Sequence, residues 1–201
     1  KPRTKFSNTN SSGANIVSSL WSDLKMNDQE DLKIARSVLI TEAESILKAA
    51  EKIDSSFKNA IEILDAPNRK IIVTGIGKSG HLGKKISATL CSTGSPSCFL
   101  HPAEAVHGDL GIHQIGDPVI FLSNSGSTPE LLSLAPVLRK RNAQIVGILG
   151  KTESKLAEKV DVALDASVTI EADPLGIVPT ASFAVAASLG DAIASALMKR
   201  K

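Results

Sequence analysis

Five short apolar runs, "KIIVTG", "SCFLH", "PVIFLSN", "QIVGILG" and "VDVALD", punctuate this chain, with stretches of helical spacing between them. That alternation constrains the fold more than any other feature. Runs this short, most of them rich in Val and Ile, read as strands buried on both faces of a parallel sheet. Helices are expected at about 80–92, 129–141 and 152–158, covering both faces. A chain of 201 residues, 42% hydrophobic and 22% charged, is long enough to bury such a core as one domain. Ligands of such sheets sit beyond the carboxyl ends of the strands. The turns after Thr74, His101 and Leu122 are therefore the ones to inspect.

The flanks read differently. The first 15 residues are polar and aperiodic, so residues 1–27 are assigned to a flexible or partly ordered arm and 28–201 to the domain. From Asp28 on, Leu32, Ala35, Leu39, Ala43, Ile46, Ala50, Ile53 and Phe57 mark one face of an amphipathic helix. Ser55 or Ser56 is expected to cap a second helix through Ile61 and Leu64, ended by Pro67 and Asn68. The tail "IVPTASFAVAASLGDAIASALMKRK" is apolar enough to raise the question of a membrane span. Pro179, Asp191 and its many small residues favour a helix packed on the sheet or on a partner subunit. The helical region from Asp28 to Asp65 is expected to complete an oligomer interface.

Composition excludes several functions. A net charge of +2 and 3% aromatic residues, with no Tyr, argue against nucleic acid as a partner. Cys91 and Cys98 form neither a disulfide framework nor a zinc signature, and a cytoplasmic setting is expected. The four histidines, His81, His101, His107 and His113, are spaced 20, 6 and 6 apart and match no common zinc site, so no metal or other cofactor is expected.

The turn "IIVTGIGKSGHLGKK" admits three readings. A triphosphate loop fails, because the glycine it needs five residues upstream falls on Ile72. A dinucleotide turn fits Gly75, Gly77 and Gly80. It lacks the acidic residue at the end of the next strand, where His101 and Pro102 stand. The third reading uses a second turn, "FLSNSGSTPELL", in which Ser123, Ser125, Ser127 and Thr128 surround Gly126 just before a helix. Hydroxyls and free N–H groups at a helix N-terminus suit a phosphate. The helix after Ser79, with Lys78 beside it, offers the same. Two such corners on one sheet suit a small phosphorylated metabolite. The bland alternative for "SNSGST" is a serine-rich helix cap.

The segments "GIGKSGHLGKK", "STGSPSCFLHPAEAVHGDLG", "SNSGSTPEL" and "DPLGIVPTAS" together resemble the sugar isomerase (SIS) domain family. Within it they are most similar to D-arabinose 5-phosphate isomerases of 3-deoxy-D-manno-octulosonate (Kdo) synthesis, over residues 35 to 198. The resemblance implies a flavodoxin- or Rossmann-like αβα sandwich of three layers, with a five-stranded parallel sheet and a helical N-terminal arm. It implies interconversion of D-ribulose 5-phosphate and D-arabinose 5-phosphate, for lipopolysaccharide or capsule, by a homotetramer. Phosphate binding falls to Ser79, Ser123, Ser125 and Thr128, with Gly77 and Asn124 in the same turns. Lys78, His107 and Glu130 fall at or near the reacting carbons. Many family members add a Ser-His-Pro-Gly-Gly segment and a pair of cystathionine-β-synthase-type domains; the resemblance here is to a short SIS-only form or to the SIS part of such a longer member.

An aldose–ketose isomerase passes a proton between adjacent carbons through an enediol. Glu130, one turn into the helix after the serine loop, is the candidate base; its structural role would be to complement the helix dipole. Lys78 would steady the developing enediolate, or else is a solvated lysine. His107 would shuttle protons or open the sugar ring, with Glu104 and Asp109 orienting it or a sugar hydroxyl. His101 is assigned to packing at a strand end or to supporting the residues that touch the ligand, and His113 to the surface. Three rivals stand beside this reading: a phosphosugar-sensing module without catalysis, a hexulose 6-phosphate isomerase, and a fold that binds a nucleotide-sugar effector such as CMP-Kdo.

Overall fold

A computed structural model of the protein describes residues 28–201. The arm expected over 1–27 lies outside the described residues. Residues up to Ser37 form one unit and Val38–Lys201 another.

All five apolar runs are strands: β1 (Ile71–Thr74), β2 (Ser97–Phe99), β3 (Val119–Ser123), β4 (Ile145–Leu149) and β5 (Val162–Asp165). They form one parallel sheet in the order β2-β1-β3-β4-β5. The helices are α1 (Asp28–Glu51), α2 (Ser55–Leu64), α3 (Lys78–Ser92), the short α4 (Pro102–Ala105), α5 (Pro129–Lys140) and α6 (Ala181–Lys199). Alternation along the strands sorts the core into two layers. Val73, Ile120, Leu122, Val146 and Ile148 pack under α2, α3 and α6. Ile72, Val119, Phe121, Ile145 and Leu149 pack under α5. This is the three-layer sandwich expected from the alternation.

Two local expectations need correction. Asp54, not Ser55 or Ser56, caps α2: its carboxylate accepts from the Ser56 N–H at 2.8 Å. The helix expected over 152–158 is reduced to a 3-10 turn at Ala157–Lys159, because Leu156 N–H is drawn to the Gly126 carbonyl at 3.0 Å. The apolar face of α1 is only partly used within the chain. Ala49 is buried and Ile46 packs on the core, whereas Leu39, Ile40 and Leu47 stay exposed.

The small residues of α6 permit close packing. A Cβ added at Gly190 would stand 2.5 Å from Ile86 Cδ1 of α3. Asp191, which interrupts the apolar run, pairs with Lys85 on α3. By length and hydropathy α6 could cross a membrane; here Val185, Leu189, Ile193 and Leu197 are buried in the core.

Candidate active site

The strand order fixes where a ligand can bind. The chain steps from β1 outward to β2, then crosses back to β3 on the other side of β1. A crevice therefore opens between the carboxyl ends of β1 and β3, where Thr74 lies opposite Phe121. The two turns singled out in the sequence leave the sheet at this switch point.

The first turn runs close to its own helix. A Cβ at Gly80 would lie 2.9 Å from the Gly75 carbonyl oxygen, so both positions need glycine for β1 and α3 to meet. Gly77, the N-cap of α3, has φ +59° and ψ −128°, a conformation open to glycine. No side chain caps α3, which leaves its first N–H groups free of side-chain partners and directed at the crevice. The second turn is braced from within. Ser123 Oγ accepts from Gly126 N–H at 3.1 Å and pairs with Thr128 Oγ1 at 2.8 Å. Ser125 Oγ accepts from Ser127 N–H at 3.3 Å. Asn124 and Ser125 are exposed. Gly126 has φ +64°, and a Cβ there would stand 2.2 Å from Ser154 Oγ and 3.1 Å from the Lys151 carbonyl.

Both turns open into one cavity of about 640 Å³, bounded by Ser79, Asn124, Ser125 and Thr128 together with Gly150, Lys151 and the segment 168–171. A second cavity, of about 40 Å³, shares Ser79, Asn124 and Gly150 and adds Lys78, Ser123 and Ser182. The large cavity is of the size that takes a small organic ligand.

Other residues named from the sequence stand outside these two walls. Gly77 lines neither cavity. Glu130 is exposed on the first turn of α5, two residues beyond Thr128. His107, Glu104 and Asp109 are exposed on the segment after β2. His101 packs edge-on against Phe99, ring centroids 6.4 Å apart, as assigned. His113 is not at the surface: it is fully buried. Its Nε2 lies 3.1 Å from the Asp117 carbonyl oxygen, and Arg141 Nε points at its Nδ1 from 3.4 Å. The ring is drawn in by Asp117, itself buried and paired with Lys70 at 2.6 Å. Among the described residues no cluster of His, Cys, Asp or Glu is set to hold a metal.

Glu171 was missed in the sequence. It lines the large cavity and ties the chain before α6 together. Its Oε2 accepts from Thr180 N–H at 2.9 Å, Thr180 Oγ1 at 3.2 Å and Ser182 N–H at 3.1 Å, and its Oε1 accepts from Ser182 Oγ. Burial pushes this carboxyl up, but the hydrogen bonds from Ser182 and Thr180 outweigh it and hold the group below the usual carboxylate range. The only signal was the segment "DPLGIVPTAS", whose Thr and Ser supply the donors.

The class that the geometry defines is a parallel α/β domain with a crevice at its switch point, flanked by two hydroxyl-bearing turns that each lead into a helix. The comparisons narrow the class: the SIS domain profile matches residues 64–196, and the chain belongs to the SIS domain family. Arabinose 5-phosphate isomerase KdsD of Pseudomonas aeruginosa is 44% identical over 179 residues, 88% of this chain and 55% of that protein. Arabinose 5-phosphate isomerase GutQ of Salmonella typhimurium is 41% identical over 170 residues, 85% of this chain and 53% of that protein. The chain thus spans about half the length of these curated relatives. The structure of E. coli CFT073 c3406 in complex with arabinose 5-phosphate superposes with a TM-score of 0.82 at 36% identity, over 87% of this chain and 93% of that one.

Proposed function

We propose that this domain interconverts D-ribulose 5-phosphate and D-arabinose 5-phosphate, the latter feeding Kdo, lipopolysaccharide or capsule synthesis in the cytoplasm. The observation that carries the reading is the single cavity bounded by both anion corners, Ser79 on one side and Ser125 and Thr128 on the other. The similarity to KdsD and GutQ supports the choice of reaction. The relative that holds arabinose 5-phosphate, matched over nearly its whole chain, supports that sugar as the ligand of a domain this size.

The chemistry follows from the corners. The N-terminal N–H groups of α3 and the hydroxyls of the second turn hold the phosphate, which anchors the far end of the sugar. The first two carbons then extend from the crevice. Glu130, on the first turn of α5, takes the proton from one carbon and returns it to the other. Lys78, the first residue of α3, offsets the charge of the enediolate oxygen. His107 moves protons at the sugar oxygens and assists ring opening, with Glu104 and Asp109 orienting it. The proton and electron pair stay within the sugar, so the step needs no redox cofactor. A homo-oligomer, with a homotetramer as the expected form, would complete the site around Glu130 and His107, which are not among the residues that line the two cavities.

The test is turnover of D-ribulose 5-phosphate followed by aldose formation, for the parent and for Glu130→Gln. The parent turns over; the variant loses about 10²- to 10⁴-fold in kcat while still binding arabinose 5-phosphate. Equal activity would remove Glu130 from its role. Binding by the parent without turnover would support a phosphosugar sensor.

A further inference from the structure

Two charged side chains line the large cavity, Glu171 and Lys151. They are in opposite situations. Both carboxylate oxygens of Glu171 already accept hydrogen bonds from Thr180 and Ser182. Lys151 is exposed, and among the described residues no hydrogen bond or ion pair engages its amine. Its backbone is nonetheless firmly placed. Gly150 N–H donates to the Ser123 carbonyl at 3.1 Å. The Lys151 carbonyl lies so close to Gly126 that a Cβ there would approach to 3.1 Å. The turn after β4 is thus clamped to the serine turn, and it holds an uncommitted ammonium at the wall that Ser125 and Thr128 share.

A phosphate ester carries close to two negative charges at neutral pH, its second pKa being about 6. Hydroxyls and helix N-termini stabilise an anion, but they bring no full positive charge to that wall. We infer that Lys151 is the cation that reads the second negative charge of the phosphate, so that the site selects the dianionic ester. This rests on the function proposed above only in the choice of sugar. Lys78, on the small adjoining cavity, is left to the reacting end.

The test uses Lys151→Met, Lys151→Arg and a charge control, Lys155→Met, on the same turn but outside the cavity wall. Binding of inorganic phosphate and of arabinose 5-phosphate is measured by calorimetry, and KM and kcat for D-ribulose 5-phosphate across pH 5.5–8 and several salt concentrations. Lys151→Met is expected to weaken both ligands and raise KM about tenfold, the scale of one charge-assisted hydrogen bond, with kcat within about twofold. It should also flatten the rise of KM below about pH 6 and reduce the salt dependence. Lys151→Arg should stay close to the parent, and Lys155→Met should match it within about twofold. Unchanged phosphate affinity and KM in Lys151→Met, or the same loss in Lys151→Arg, would overturn the inference. If the parent binds phosphate but turns over no ribulose 5-phosphate, the proposed reaction fails, and the phosphate affinities alone decide the role of Lys151.

Discussion

His113 shows how one residue can couple stability to pH. Its Nε2 can bond the Asp117 carbonyl only as a donor, which leaves Nδ1 unprotonated toward the Arg141 guanidinium. Burial therefore holds its pKa below the ordinary histidine value, against the weaker opposing pull of Asp117. In the unfolded chain the same ring titrates near about 6.5. The unfolded state then binds more protons than the folded one just below that pH. The stabilisation is complete above about 6.5 and is lost as the pH falls from there through the folded-state value. The buried Asp117 and half-buried Glu171, both held below their ordinary ranges, lose their contributions only below about pH 4. Thermal midpoints from pH 7.5 to 5 should fall for the parent and fall less steeply for His113→Gln, which keeps a donor but does not titrate. Parallel slopes would contradict this reading of His113.

At the scale of elements, the sequence was most legible where the local pattern and the tertiary role agree. The five strands stand where the apolar runs are; for β1, β3 and β4, buried along their whole length, no polar face blurs the signal, and the edge strands β2 and β5 are only partly buried. The glycines of the first turn could be read because β1 and α3 leave no room for a Cβ at Gly80. Other features were illegible for a common reason: distant groups decide them. The stretch 152–158 has residues compatible with a helix, but Gly126 and Ser154 claim its backbone N–H groups. His113 lies in the loop before β3 and is drawn inside by Asp117 and Arg141. Glu171 gains its place from donors nine and eleven residues later. At the site, the two turns that line the cavity were legible as hydroxyls before helices; their hold on a phosphate is the proposal made above. The uncommitted ammonium of Lys151 was not, since a lysine in a loop carries no signal until its neighbours are known.

At the scale of the whole molecule, two facts point beyond a single chain. Leu39, Ile40 and Leu47 of α1 leave apolar surface in water, and Glu130, His107, Glu104 and Asp109 stand outside the cavity they are proposed to serve. The homo-oligomer proposed above would account for both, since symmetric association would bury α1 and bring a neighbour's residues to the crevice. Sedimentation equilibrium should give about four times the chain mass of 21.1 kDa, and Leu39→Glu with Leu47→Glu should lower that mass and reduce turnover together. A fully active monomer would rule the arrangement out. The central claim remains that the carboxyl ends of β1 and β3 hold one phosphate between them. A crystal structure with D-arabinose 5-phosphate bound tests it most directly. The account expects phosphate oxygens within about 2.7–3.2 Å of donors from both turns, at Ser79 and at Ser125 or Thr128. A phosphate held by one turn alone, or seated away from the crevice, would contradict it.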